Sequence, residues 1–143
     1  TMSDNVLIVD DEKDFLDLIS ERLAARDVNV STATRAQDAL SLLDKESYDA
    51  VVLDLQMPEM DGLEALKRIK EKNPDIQVIL LTGHATVEKG VEAMKLGAMD
   101  LIEKPADLTT IIERIKRAKA EKIILVEKKS EQRIRDILTR KGW

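Results

Sequence analysis

Cysteine is absent from this sequence, which removes a disulfide framework, thiolate metal sites and cysteine nucleophiles in one step. A reducing compartment fits that absence. Aromatic residues number only three, one each of Phe, Tyr and Trp, so any core must be aliphatic. The chain therefore has no aromatic platform on which nucleic-acid bases would stack. Long apolar runs are missing too. Val51–Leu53 and Val78–Leu81 are far too short to cross a bilayer, and no basic segment leads into an apolar one at the N-terminus. Together these absences point to a soluble, cytoplasmic protein.

What is present suits one ordinary domain with an appendage: 143 residues, 43% of them hydrophobic. Thr1 ahead of Met2 reads as an appended residue. The net charge of −5 conceals an asymmetry, because residues 1–115 hold 13 basic against 24 acidic side chains, and residues 116–143 hold ten against four. An acidic body carries a basic tail.

Val6–Val9 is a continuous apolar run ending at Asp10-Asp11, and Phe15, Leu16, Leu18, Ile19 and Leu23 follow at helical spacing. The cycle recurs at Val28–Ser31 with Ala36–Leu43, Ala50–Leu53 with Leu63–Ile69, and Ile76–Leu81 with Val87–Leu96. A fifth short run, Leu101-Ile102, precedes a last helix from about Asp107. Five βα units with short connections specify α/β architecture, a doubly wound five-stranded parallel sheet with helices on both faces. Strands 1, 3 and 4 are apolar on both faces, as central strands are, whereas strand 2 alternates and belongs at an edge. That pattern suits the order 2-1-3-4-5, in which function gathers at the carboxyl ends of strands 1 and 3.

Those ends carry Asp10-Asp11 and Asp54, with Thr82-Gly83 after strand 4 and Glu103-Lys104-Pro105 after strand 5. Carboxylates crowded on one rim repel unless a cation or proton compensates, and oxygen donors favour Mg²⁺ over Zn²⁺. Each residue alone admits a plainer role. Asp10 or Asp11 would serve to cap the first helix, Asp54 to open a turn towards Pro58, Asp61 to cap the third helix, and Thr82 or Lys104 to face solvent. Their joint placement at the strand ends is what argues for a site.

From about Val6 to Lys119 the chain resembles the response-regulator receiver family of two-component signalling. The resemblance lies in Val9-Asp10-Asp11-Glu12, Val52-Leu53-Asp54-Leu55-Gln56-Met57-Pro58, Met60-Asp61-Gly62, Leu81-Thr82-Gly83, and Gly97-Ala98 leading to Glu103-Lys104-Pro105. It implies a signalling switch, not a turnover enzyme, in which Asp54 receives a phosphoryl group from a histidine kinase, a phosphotransfer protein or a small phosphodonor. It further implies that Asp11 and Asp54 bind Mg²⁺ directly and Asp10 through water, with the main-chain carbonyl of Gln56 completing the set. Lys104 would pair with the phosphoryl oxygens, Thr82 would donate its hydroxyl to one of them, and the Lys104–Pro105 peptide would be cis. The expected output surface runs from strand 4 to helix 5, and the expected boundaries are residues 3–119 for the receiver and 120–143 for a basic helical extension.

The sequence departs from the family pattern in two places. Leu101 stands where many members carry the aromatic ring of a rotamer switch, and Ala106 stands where Phe often follows the proline. Gln56 and His84 occupy the positions that in the family gate hydrolysis of the acyl phosphate, although His84 also reads as a plain exposed loop histidine. A doubly wound phosphatase would place a second acid two residues after its nucleophile, where this chain has Gln56. A flavin module would need a phosphate-cradling loop where Asp10-Asp11 would repel it.

Asp107–Lys141 contains no Pro or Gly, so the last helix should run past the domain, about 50 Å in all at about 1.5 Å per residue. Ile123-Ile124-Leu125-Val126 is too apolar to be left bare. A homodimer through this helix is expected; docking on the acidic receiver face, or a linker to an output domain, are the other readings. The runner-up overall is the receiver part of a DNA-binding transcriptional regulator. The chain shows no helix-turn-helix of its own, which argues against direct nucleic-acid binding.

Overall fold

The computed structural model describes residues 4–57, 61–83 and 87–140. Strands β1 (Asp4–Val9), β2 (Val28–Ala33), β3 (Ala50–Asp54), β4 (Gln77–Thr82) and β5 (Asp100–Glu103) alternate with helices α1 (Lys13–Ala24), α2 (Ala36–Lys45), α3 (Gly62–Lys72), α4 (Val87–Lys95) and α5 (Leu108–Arg140). All pairings are parallel, and the order is β2-β1-β3-β4-β5, as the hydrophobic patterning requires. The alternating β2 lies at an edge, two residues longer than its apolar run suggests.

The strand period of two divides the core. Leu7, Val9, Val51, Leu53, Val78 and Leu80 face α2, α3 and α4, meeting Ala39, Leu40, Leu66, Ile69 and Ala93. Val6, Ile8, Val52, Ile79 and Leu81 face the other way, towards Leu16, Ile19 and Leu23 of α1 and Ile111, Ile115 and Ala118 of α5. A fully buried aliphatic side chain of this kind contributes roughly 1.5–3 kcal/mol. Both faces of β3 and β4 are therefore filled, and the polar groups at their carboxyl ends sit on a rigid base.

The start of α3 shows how local sequence protects that base. Asp61 caps the helix, accepting from Leu63 N–H at 3.1 Å, which is the plainer role the sequence allowed it. Gly62 follows because the chain passes so close to Leu55 that a Cβ there would lie 2.4 Å from the Leu55 Cα. Gly90, in the middle of α4, has no such constraint: a Cβ would meet only the Leu101 Cδ2, at an ordinary 3.6 Å.

The two glycines should thus respond oppositely to alanine in urea unfolding. Gly62→Ala is expected to lower stability by about 1–3 kcal/mol through overpacking. Gly90→Ala is expected to raise it by about 0.5–1 kcal/mol through helix propensity and reduced unfolded-state entropy. Equal effects of the same sign would contradict the packing described.

Candidate functional site

Register builds the site. Val9 pairs with Leu53, so Asp10 and Asp54 leave adjacent strands side by side, and Thr82 pairs with Glu103, so Lys104 emerges next to β4. The ladder continues past the strands: Asp10 N–H donates to Ala33 O at 3.1 Å, Leu55 N–H to Leu81 O at 2.9 Å, and Lys104 N–H to Thr82 O at 2.7 Å. The residues at this rim are consequently anchored by backbone pairing to neighbouring strands.

Asp10 and Asp54 are almost fully buried, at 1% and 4% exposure, while Asp11 is exposed. One carboxylate oxygen from each of the three lies within 4.8 Å of the others. Both buried acids use the same local solution. Asp10 Oδ1 accepts from Glu12 N–H at 2.9 Å, and Asp54 Oδ1 accepts from Gln56 N–H at 3.0 Å, each two residues on. Their other oxygens face one ammonium: Lys104 Nζ lies 2.9 Å from Asp10 Oδ2 and 3.6 Å from Asp54 Oδ2. The helix-capping role open to Asp10 or Asp11 is not the one adopted, since Glu12 is the N-cap of α1 and makes no side-chain cap.

Three carboxylates around one ammonium leave a surplus of negative charge. Burial, followed by the nearby charges of Asp10 and Asp11, holds the Asp54 carboxyl above its ordinary value, against the opposing Gln56 N–H bond and the Lys104 charge. Burial alone would depress the Lys104 ammonium, but its bond to Asp10 and the charges of Asp10 and Asp54 reverse that, and its pKa is raised. Hard oxygen donors at this spacing, carrying surplus negative charge, fit a small divalent cation such as Mg²⁺.

Around this centre, Thr82 is fully buried at the end of β4. Gln56 is exposed, and its Oε1 accepts from Gly83 N–H at 3.3 Å, tying the loop after β3 to the loop after β4. The Lys104–Pro105 peptide is cis, as the resemblance implies. His84 lies outside the described residues, as do Pro58 and Met60 of the motif. In sequence Phe15 is only one of the apolar positions at helical spacing in α1; its ring centroid lies 5.0 Å from Lys104 Nζ. No local spacing rule links residues 15 and 104.

These features define a doubly wound domain with an acidic, lysine-bearing rim, and the comparisons with known proteins agree. Residues 6–116 match the response regulator receiver domain, and the chain belongs to that family. It is 42% identical over 116 residues to a putative NtrX-like response regulator of Rickettsia bellii, covering 80% of this chain and 24% of that protein. It is 36% identical to the transcriptional regulatory protein ZraR of Salmonella typhimurium, covering 81% and 26%. The crystal structure of a Burkholderia pseudomallei response regulator with a phosphorylated aspartic acid and a calcium ion superposes with a TM-score of 0.76 at 25% identity, covering 98% and 86%. The chain thus spans about a quarter of the length of the curated relatives it matches.

The raised Asp54 pKa has a consequence for stability. Its folded pKa exceeds the unfolded one, so its contribution is fully present below the ordinary carboxylate range and is lost as pH rises through the folded value. Asp54→Asn should therefore stabilise the metal-free protein at pH 7 by on the order of 1 kcal/mol. Urea unfolding at pH 7 and near pH 4 checks this, with the gain expected to shrink at the lower pH.

Proposed function

We propose that Asp54 is the phosphoacceptor of this receiver domain and takes its phosphoryl group, in a Mg²⁺-dependent reaction, from a sensor histidine kinase, a phosphotransfer protein or a small phosphodonor. The observation that carries this reading is one ammonium, Lys104, shared between two buried carboxylates at the ends of adjacent central strands. An Asp54 oxygen would attack phosphorus while the bond to the donor breaks, leaving an acyl phosphate. The Gln56 N–H orients the attacking carboxylate through Oδ1. Lys104 then exchanges Asp10 for the phosphoryl oxygens and offsets their charge, and the Thr82 hydroxyl donates to another of them. Asp10, Asp11, Asp54 and the main-chain carbonyl of Gln56 would hold Mg²⁺, which, when bound, neutralises the charge surplus that would otherwise repel an incoming phosphoryl group. The phosphorylated aspartic acid of the Burkholderia neighbour supports this assignment.

Gln56 stands where a phosphatase would place its second acid, and this favours a phosphoprotein over a turnover enzyme. Gln56 and His84 would set the lifetime of the acyl phosphate. Incubation with Mg²⁺ and acetyl phosphate should yield a labile adduct of about 80 Da that is lost in Asp54→Ala. An adduct surviving that substitution would sink the assignment.

The basic extension, residues 120–143, suits a self-association or linker role. Helix α5 runs for roughly 33 Å past Ala118, its last buried residue, at about 1.5 Å per residue. Ile123, Val126, Ile134, Ile137 and Leu138 remain exposed and share about a third of its circumference, on a different side from Ile111, Ile115 and Ala118. The contiguous run Ile123–Val126 is left uncovered by the chain's own body, contrary to what its apolarity demands of a finished surface. We assign this face to pairing with a second copy. The name of the relative ZraR favours the alternative that the chain serves a transcriptional regulator as its receiver, and a cytoplasmic location suits either reading. Among the described residues no helix is long and apolar enough to cross a membrane. In sedimentation velocity, Ile134→Glu with Ile137→Glu should shift the protein towards monomer at concentrations where the parent sequence dimerises; a parent sequence that stays monomeric with and without phosphorylation would remove the pairing role.

A further inference from the structure

The chain's single phenylalanine stands beside the ammonium of the acidic rim. Phe15 lies half-buried in the first turn of α1, and Lys104 Nζ is 5.0 Å from its ring centroid. The proposed chemistry makes no use of it. A cleft of about 330 Å³ opens there, lined by Glu12, Phe15, Leu81, Lys104, Pro105 and Ala106. Ala106 brings only a methyl group to that lining, and the aromatic ring there is that of Phe15 on α1.

We propose that Phe15 is a positioning residue for Lys104, its ring face holding the ammonium over the gap between Asp10 and Asp54 by cation–π attraction. This rests on the phosphoacceptor reading above. Lys104 is a flexible four-carbon stem whose side chain is 23% exposed, and it sits closer to Asp10, at 2.9 Å, than to Asp54, at 3.6 Å. To meet phosphoryl oxygens on Asp54 it must leave Asp10 without swinging into water. A carboxylate holds a cation at one point. An aromatic face attracts it within about 6 Å of the centroid, with less dependence on where it sits. The ring also shields one side of the ammonium from solvent, which strengthens its attraction to both carboxylates.

The test uses the full chain with Mg²⁺ and acetyl phosphate and reads the rate at which Asp54 is labelled. Phe15→Leu keeps apolar bulk without a π face and should slow labelling roughly three- to tenfold, whereas Phe15→Trp should stay within about twofold of the parent rate. In a Lys104→Ala background, Phe15→Leu should cause no further loss, because the ring acts through the ammonium. A Leu variant that labels at the parent rate, or one that loses the same factor without Lys104, overturns the proposal. The NMR spectrum of the unsubstituted protein gives a readout independent of variant folding: the ring should shift the Lys104 ε-methylene protons upfield, and unshifted protons overturn the placement. A parent protein that is never labelled at Asp54 overturns the phosphoacceptor reading, and this inference with it.

Discussion

The constraint on which this structure turns is electrostatic: two buried carboxylates at the ends of neighbouring parallel strands, with one lysine between them. Burial of an uncompensated carboxylate costs several kcal/mol, so Asp10 and Asp54 are tolerable only together with Lys104 and the main-chain donors of Glu12 and Gln56. That compensation is incomplete, since Asp11 adds a third negative charge within the same cluster. A more stable domain would lack this rim. The rest of the fold supplies the excess that sustains it, through two aliphatic layers that fill both faces of β3 and β4. Stability and function are thereby separated along β1 and β3, where buried apolar residues lead up to a carboxylate at the carboxyl end.

Much of this was legible in the sequence because it obeys short periods. Apolar runs of strand length alternating with helical spacing give five βα units, and the alternation in Val28–Ser31 marks an edge strand; both appear in the structure as read. The convergence of Asp10, Asp11, Asp54, Thr82 and Lys104 follows from the same reasoning, since parallel strands bring their carboxyl ends to one rim. Partnerships between groups far apart in the chain were not legible. The Lys104 contact with Phe15, the bond from Lys122 Nζ to the Tyr48 carbonyl, the Lys129–Asp75 ion pair and the Gln56 bridge to Gly83 join segments whose local patterns carry no mark of each other. Phe15 reads in sequence as one more apolar helix position. Only the three-dimensional path of the loop after β5 gives it a charged neighbour.

The two helices beside β5 are held very differently, and this bears on how a change at Asp54 would be read out. Helix α4 contains Gly90 at its centre and buries only Ala93 fully, leaving Val87, Val91 and Met94 exposed. Leu101 packs against the core near Gly90, where it offers no ring to rotate inward. A short helix with a central glycine and one fully buried anchor is easily repositioned, so a shift of the adjoining loop after β4 has a soft element to act on.

Helix α5 has the opposite character. Ile111, Ile115 and Ala118 are locked into the core, Lys119 reaches Asp4, and Lys122 and Lys129 bind the loops that precede β3 and β4. Those loops lie at the end of the sheet opposite Asp54, so α5 runs the full depth of the domain and is tied at its base before it projects. Such a helix would carry a tilt of its packed segment to its far end. A tilt of about 5° at its packed segment would move a tip roughly 33 Å away by about 3 Å, on the scale of a side-chain contact. The same tilt would strain the part-buried bond from Lys122 to the Tyr48 carbonyl and the more exposed Lys129–Asp75 ion pair, of which the latter is the weaker and more readily exchanged. The sequence thus pairs a soft helix next to the site with a stiff one leading away from it, a division that suits local detection of a small rearrangement and its delivery at a distance.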